Sequence, residues 1–600
     1  MDKKNTTIGV LLIIAAFASL YFGQRFAPAR SAAPVPSANT AAVANAPSVS
    51  PTASALPPVS APDTAFAAVE RDTASVSLAT LENDFVAVHF TNFGGAVHDV
   101  ALKKYPAEKG YAAPFVFNAL HADPMLAFTD FAGLDRNTAF ALVSRTPTEI
   151  VYRAALFEGR VEVTRRYTLV AKPDDKHDPY QIRHETTFRN LTAQTVPLPR
   201  VALSLGTAAP VNVLDLGLKL TAGYSNGHDQ NFFARSKLEA GNGLFGIGAS
   251  DAKPFIVSGG PVVWATVSNQ FFAAILTPDQ PGAGLLTRRV KLFPGLPDEN
   301  RNAYGLTSAA QFDLAPLAAH GEAKLAADFY VGPKEYKRLA NGDIFKVDQD
   351  KVMQFGMFKW FSQLLLTLMT WIHGWFPGAS WAWGWAIVLT TLTLKIIFVP
   401  FTLAASRSAR RMQIIQPEMQ AVREKFKDNP QKLQAATMEL FKKHKVNPMG
   451  GCLPVLITIP FFIGFFSMLQ STAELRFQPF LWATDLSAPD TIARIFGLPL
   501  NIMPILMGAT MVIQMHLTPS PTVDNAQAKM MKFMPYVMAL FCYSFSCALA
   551  LYSTINGIFT IGQQLVINHL KDTGDPAAAA LAKPGGRPLK NVTPAKGGKR

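Results

Sequence analysis

Lys395 is the residue of this chain whose position most demands a chemical explanation. It lies in Trp381–Leu403, an apolar run with no other charge. It follows Trp385 by ten residues, so at helical rise it sits about 15 Å beyond the cluster of Trp381, Trp383 and Trp385. An ammonium near that depth of a bilayer costs at least ~2.5–3.5 kcal/mol on insertion scales, so it should face protein or water and mark a functional path. The competing explanation is snorkelling to the surface, with Arg407 about three turns on. Thr391 stands one helical turn before Lys395, on the same face. Ser553, Asn556, Thr560 and Gln563, spaced by three, four and three, form one face of another helix, and Thr458 and Gln514 add single polar positions in two more apolar runs. Such residues commonly act as interhelical glue. Beside a buried cation they read as one wall of a wet cavity that could receive polar or acidic groups.

Other chemistry has little to work with. Gly243–Gly248 contains glycines but neither G-x-G-x-x-G nor Walker A spacing, so no nucleotide-driven step is indicated. His177 lies in the polar turn Asp174–Asp178, and His89 and His98 stand nine apart on separate strands or turns with no Cys near either. Cys452, Cys542 and Cys547 form no C-x-x-C pair and read as small core residues. No paired catalytic carboxylates can be identified. The expectation is a protein that is not an enzyme, with no metal and no cofactor.

The elements that must position these groups follow from composition. The 600 residues are 49% hydrophobic and only 16% charged, with 3 Cys and a net charge of +14; soluble chains carry about 25% charged residues. Ala27–Phe376 holds 31 basic and 31 acidic residues, so the excess lies entirely outside it. A nucleic-acid binder would show a basic face on its main folded domain, and no sequence-specific nucleic-acid partner is expected. Residues 1–26, with Lys3 and Lys4 before the apolar run Thr6–Phe22, read as an uncleaved membrane anchor, with a cleavable signal peptide as the alternative. Residues 27–73 are an Ala/Pro/Ser-rich linker. Residues 74–350 show short alternating strands such as Phe85–Phe90 and Arg160–Val170 between turn signals such as Asn92-Phe-Gly-Gly95, which predicts an all-β sandwich. Residues 355–377, with Trp360, Trp371 and Trp375, read as an amphipathic helix in the membrane interface, or alternatively as a span.

Beyond this lie candidate spans at about 381–403, 451–470, 502–517, 533–545 and 548–567. The tail 571–600 is basic, and Lys3 and Lys4 place the other end inside too, so the positive-inside rule requires an even number of spans, six with the anchor. Ala404–Pro448, with ten basic and four acidic residues, then faces the cytoplasm; Ser471–Asn501, with two basic and three acidic, faces outward. In 404–448, Met412, Ile415, Met419, Val422 and Phe426 repeat at heptad spacing, Asp428-Asn429-Pro430 breaks the repeat, and Leu433, Thr437 and Leu440 begin a second helix, predicting a helical hairpin.

The C-terminal residues resemble a known family. Trp383-Gly384, Lys395 followed by Pro400-Phe-Thr402, Gln416-Pro417, Val446-Asn-Pro-Met-Gly-Gly-Cys-Leu-Pro454, Glu474-Leu-Arg476, Trp482 with Asp485-Leu-Ser487, Pro504-Ile-Leu-Met-Gly508 and Met531-Lys-Phe-Met-Pro535 run in the order found in the bacterial YidC insertases. The resemblance covers Phe355–Leu570; the β region matches more loosely, near Asn92–Gly95. It implies a polytopic α-helical inner-membrane protein with six spans, a five-helix core at 381–570, a periplasmic β-supersandwich, and a groove open to cytoplasm and lipid. The residues expected to line that groove are Lys395, Thr391, Thr458, Gln514, Ser553, Asn556 and Thr560, with Met412, Ile415, Met419, Val422 and Phe426 of the hairpin expected to capture substrate. Lys395 stands where the family usually has Arg, and a groove Tyr falls at Ser553, one place after Tyr552. Implied partners are nascent membrane proteins, the ribosome, the Sec translocon and the lipid bilayer. An ion-coupled transporter with an anchored periplasmic sugar-binding or sugar-modifying domain is the alternative.

Overall fold

In the computed structural model the described residues are 78–569, less short stretches of which 242–250, 445–452 and 518–525 are the longest. The expected anchor 1–26, the linker 27–73, the tail 571–600 and most of the motif Val446–Pro454 lie outside the described residues, as do the side chains of Met412 and Thr458. Two compact units divide between Met353 and Gln354.

The first unit is all-β. Nine antiparallel strands form its largest sheet, in the order Gln230–Ala234, Thr221–Ser225, Trp264–Ser268, Phe272–Pro278, Glu322–Pro333, Gln181–Asn190, Val161–Leu169, Glu149–Leu156 and Ala141–Arg145. Their sequences are rich in Val, Ile, Thr, Tyr and Phe, and strands such as Val161–Leu169 alternate buried and partly exposed residues as a one-faced sheet requires. Two four-stranded sheets pack against it. One orders Leu78–Glu82, Val86–Thr91, Ala96–Pro106 and Pro114–Phe117; the other orders Phe255–Val262, Gly282–Lys291, Tyr304–Phe312 and Val201–Ala208. Backbone bonds from residues 125–129 reach Val97 on the first and Ala202 and Ser204 on the second, joining the two small sheets into one layer.

Aromatic rings fill the space between layers. Phe115 stacks on Phe272 with centroids 4.2 Å apart, and Phe90 meets Tyr167 at 5.0 Å. Arg165 is fully buried there. Its guanidinium donates to the carbonyls of Gly94 and Leu126 and lies 4.8 Å from the Phe128 ring, while the Tyr167 hydroxyl donates to the Gly95 carbonyl at 2.7 Å. The Asn92–Gly95 turn is therefore where the first small sheet is pinned to the large one. A buried charge is tolerable only when so paired.

His89 and His98, nine apart in sequence, converge on one carboxylate. The strand register sets His89 opposite Asp99, and the Nδ1 atoms of both histidines lie 2.6 Å from the two oxygens of that carboxylate. Burial pushes the Asp99 carboxyl up, but the two histidine hydrogen bonds outweigh it and hold the group well below the usual carboxylate range. The same bond, countered in part by burial, raises His89 above its ordinary value. Among the described residues no group of His, Cys, Asp and Glu could hold a metal ion.

The second unit is helical: α1 Lys359–His373, α2 Ala382–Ile414, α3 Gln416–Lys425, α4 Pro430–Lys443, α5 Leu453–Leu469, α6 Ile502–Leu517, α7 Ala526–Phe541 and α8 Cys547–His569. Among the described residues one helix segment, Ala382–Leu403, is long and apolar enough to cross a membrane by itself; Pro460–Leu469, Ile502–Leu517 and Phe533–Ser544 are shorter apolar stretches. In α1, Phe361, Leu365, Leu366, Met369 and Ile372 are buried while Trp360, Leu364 and Trp371 are exposed, an amphipathic division. The Ser362 hydroxyl ties α1 to the Gly464 carbonyl of α5 at 3.0 Å.

Two boundaries differ from those read in the sequence. The helix carrying Lys395 does not end at Leu403 but continues to Ile414, so Met412 belongs to α2 and the first hairpin arm begins at Gln416. The heptad repeat is split because Pro417 cannot donate a backbone N–H and so opens a new helix. Similarly, α7 starts at Ala526 rather than near Phe533, since Ala526–Met531 are residues that favour helix and no glycine or proline stands among them.

Gly384 allows a close approach in this unit. A Cβ on it would lie 2.0 Å from the Phe480 ring. Gly384→Ala is therefore expected to cost about 1–3 kcal/mol of overpacking, read as a lower thermal midpoint of the helical circular-dichroism signal in detergent. Phe480→Ala in the same chain should recover part of the loss; an unchanged midpoint for Gly384→Ala alone would contradict the packing. In the β unit, a raised His89 contributes stability that is fully present below its unfolded value of about 6.5 and is lost as pH rises through the folded value. Asp99, being depressed, contributes above its unfolded value of about 3.9 and loses this as pH falls. Comparing wild type with His89→Gln by urea unfolding, the stability gap should narrow as pH rises from about 6 to 8. A gap independent of pH would exclude the His89–Asp99 linkage.

Candidate functional site

The polar row lies between α2 and α8. Lys395 Nζ donates to Thr560 Oγ1 at 2.9 Å and stands 6.0 Å from the centre of the Phe559 ring. The Thr560 hydroxyl in turn donates to the Asn556 carbonyl at 2.7 Å, so its oxygen holds the ammonium while its proton satisfies the helix. Further along, Gln563 Nε2 donates to Thr402 Oγ1, whose hydroxyl donates back to the Val399 carbonyl at 2.9 Å. Two polar rungs thus join the helices. Lys395 is half-buried, and among the described residues no carboxylate lies within ion-pair distance of it. Its ammonium keeps donor capacity for a visiting acceptor.

A third helix reaches the same place because Gly557 has no side chain. A Cβ there would lie 2.6 Å from Thr510 Oγ1 and 2.8 Å from Gln514 Nε2, both on α6. At 100° per residue Gly557 is about 60° round α8 from Thr560. Gln514 and Lys395 therefore approach neighbouring sectors of one helix. Ser553 and Asn556 are half-buried on that helix.

Thr391 bonds within its own helix. Thr391 is buried, and its hydroxyl donates to the Ile387 carbonyl of its own helix at 2.7 Å. Tyr552 stacks on Phe465 of α5, with centroids 4.1 Å apart and planes 17° from parallel, and so belongs to the packing of the bundle. Thr458 lies on α5, its side chain outside the described residues. Thr402 and Gly557 are the members the sequence reading missed. The signal for Thr402 was its position seven residues after Lys395, two helical turns along the same face; the signal for Gly557 was a glycine inside the polar stripe.

The two ends of this row differ. At one end, the Asp485 carboxylate accepts from the backbone N–H groups of Phe477 and Ser487 at 2.9 and 2.8 Å, fixing the loop before α6. Asp490 accepts from Trp482 Nε1 and from the Met503 N–H at the start of α6, both at 2.7 Å, a favourable place for a carboxylate. The carbonyls of Ala488 and Leu486 accept the N–H groups of Cys547 and Ala548 at 2.8 Å, capping α8. Phe480, Ala483, Leu486 and Cys547–Leu551 are all buried, so this end is filled. At the other end Thr560 and Gln563 are half-buried, and Ile396, Ile397 and Phe401 are exposed. Beyond it, α3 packs on α4 as a hairpin in which Ile415 and Leu440 are buried and Met419, Val422 and Phe426 half-buried.

Comparison with known proteins agrees with the division into two units. The family described as YidC periplasmic domain matches residues 78–368, and that described as 60Kd inner membrane protein matches 372–574. The membrane protein insertase YidC of Wolinella succinogenes is 40% identical over 258 residues, 43% of this chain and 45% of that one. Its namesake from Burkholderia cenocepacia is 37% identical over 305 residues, 51% of this chain and 50% of that one. The chain spans about half the length of the curated relatives it matches. A crystal structure of an active YidC insertase with the first transmembrane domain resolved aligns over 81% of this chain and 93% of that one, at 17% identity and a TM-score of 0.31. None of these relatives lends support to the transporter alternative. With a YidC periplasmic domain and a 60Kd inner membrane protein core matched one after the other along its length, the chain belongs to the YidC family.

Proposed function

We propose that this protein is a membrane protein insertase and chaperone that moves hydrophobic segments of nascent proteins from the cytoplasm into the inner membrane. The observation that carries the reading is the Lys395–Thr560 contact, a cation held by one hydroxyl between two apolar helices. A short polar flank of the incoming segment enters between α2 and α8, where Lys395, Gln563 and Gln514 offer donors to its acidic and carbonyl groups. Those contacts replace part of the hydration the flank gives up, which is the main barrier to its crossing. The apolar part of the segment slides past the exposed Ile396, Ile397, Phe401, Ile558 and Leu565. Its burial in lipid supplies roughly 25 cal/mol per Å² of apolar surface, and the membrane potential assists acidic flanks. No covalent step is needed.

In this reading six spans cross the membrane, Thr6–Phe22 and then the spans in α2, α5, α6, α7 and α8, with both termini cytoplasmic and the β unit periplasmic. The α3–α4 hairpin, with Met419, Val422 and Phe426, receives the substrate. The basic tail 571–600 and the hairpin approach ribosomal phosphates, and the Sec translocon hands over segments of larger substrates.

The test is insertion of a single-span substrate with a short acidic flank into vesicles carrying wild type, Lys395→Ala, Lys395→Arg or Lys395→Glu. Loss of one charge-assisted hydrogen bond, about 1.5–3 kcal/mol, predicts that Lys395→Ala inserts the acidic flank at least about tenfold more slowly, that Lys395→Arg keeps most activity, and that Lys395→Glu is slowest. A substrate with a neutral flank should be affected less. Wild-type rates for both Lys395→Ala and Lys395→Glu would remove the cation from the mechanism.

A further inference from the structure

Between Asp490 and α6 the chain forms a two-stranded hairpin, Thr491–Ile495 with Leu498–Asn501, paired through Ile495 and Leu498. Its two-residue loop is Phe496-Gly497, with φ of 50° and 80°. Both central residues are left-handed, the form of turn that fits hairpin twist and normally takes Asn-Gly. A bulky Phe in that region is an outlier, and this Phe is 101% exposed. Ile492, Ile495 and Leu498 are also exposed, Leu498 at 73%, and Arg494 is the only charge on the hairpin. Water favours neither the backbone conformation nor the ring. Strain of this kind points to a function rather than to the fold.

The root of the hairpin is firm. Asn501 Nδ2 donates to the Tyr543 carbonyl at 2.9 Å, the Tyr543 hydroxyl donates to the Pro499 carbonyl, and the Thr491 hydroxyl donates to Asn501 Oδ1 at 2.7 Å. The next residue, Ile502, begins α6, whose Ile505, Leu506 and Ile513 are exposed and apolar. The apolar surface of the hairpin thus continues, through the chain, the lipid-facing surface of a span. Strands of four or five residues reach about 15 Å, enough to lie within the interfacial layer of the leaflet where α6 begins.

We infer that the Thr491–Asn501 hairpin docks into the outer leaflet of the bilayer, with Phe496 and Leu498 among the upper acyl chains and Arg494 at the phosphates. The inference rests on the reading of Ile502–Leu517 as a span, so the experiment tests both separately. Leu498→Cys and, in another chain, Ile513→Cys are labelled with an environment-sensitive fluorophore in full-length protein carrying Cys452→Ala, with the unsubstituted Cys452→Ala chain as blank, and are placed in phosphatidylcholine/phosphatidylglycerol vesicles. The probe at 498 should be quenched by lipid bearing a nitroxide near the headgroup and protected from iodide; the probe at 513 should be quenched by a nitroxide deep in the chains. Adding Phe496→Asn, which suits the left-handed turn, should leave the thermal midpoint in detergent intact while removing the lipid quenching at 498. Iodide access at 498 overturns the inference, as does protection from both quenchers, which would mean cover by a second copy or another part of the chain. Failure of the 513 probe to be quenched by the deep nitroxide overturns the span reading as well.

Discussion

The helical unit is governed by the cost of keeping polar groups where water is scarce. Such groups gain from a partner on their own helix or a neighbour, though the buried Thr390 and Thr554 hydroxyls of α2 and α8 have none among the described residues; an ammonium needs one most of all. Lys395 finds Thr560, and that contact commits α2 and α8 to one register. The register then brings Thr402 to Gln563, and the missing side chain at Gly557 admits α6 with Thr510 and Gln514. A change that separated α2 from α8 would strand all these groups together, so the polar row behaves as one cooperative feature. The filled end of the bundle follows the same logic, since the first N–H groups of α6 and α8 have no helical partners and are met by Asp490, Leu486 and Ala488.

The β unit solves the opposite problem. It carries no net charge and no cysteine, so neither a long-range field nor disulfides hold it together. Its layers are joined by buried rings and by a few buried ionic groups, above all Arg165, whose guanidinium is met by backbone carbonyls. A guanidinium with five donors can bind several carbonyls at once. One residue thereby fastens the turn at Gly94, the segment at Leu126 and the large sheet to each other.

What was legible in the sequence was what depends on composition along the chain. Apolar length located α2, α5, α6 and α8, and strand alternation located Val86–Thr91 and Val161–Leu169. The charge count singled out Lys395. What was not legible depends on neighbours distant in sequence. His89 and Asp99 meet only through a strand register, and Thr391, on the same helical face as Lys395, turns to its own helix because a threonine hydroxyl one turn from a carbonyl satisfies itself locally. The heptad repeat failed for a local reason, Pro417, which periodicity alone does not weigh against helix continuity.

In the proposed insertase, lysine at the centre of the polar row would suit a site that has to hold many different flanks. An arginine presents a fixed planar fork, which rewards one bidentate geometry. The ammonium of Lys395 is a rotatable point charge on a flexible stem, and the hydroxyl it rests on is an exchangeable, neutral partner rather than a carboxylate. Leaving Thr560 costs one hydrogen bond and strands no opposite charge, because the threonine proton remains bonded to Asn556. On the proposed mechanism, an acidic or carbonyl group of a passing flank would therefore replace Thr560 with little loss, and be replaced by it again as the segment moves into lipid. A buried ion pair at the same place would resist both steps, since breaking it would leave an uncompensated charge.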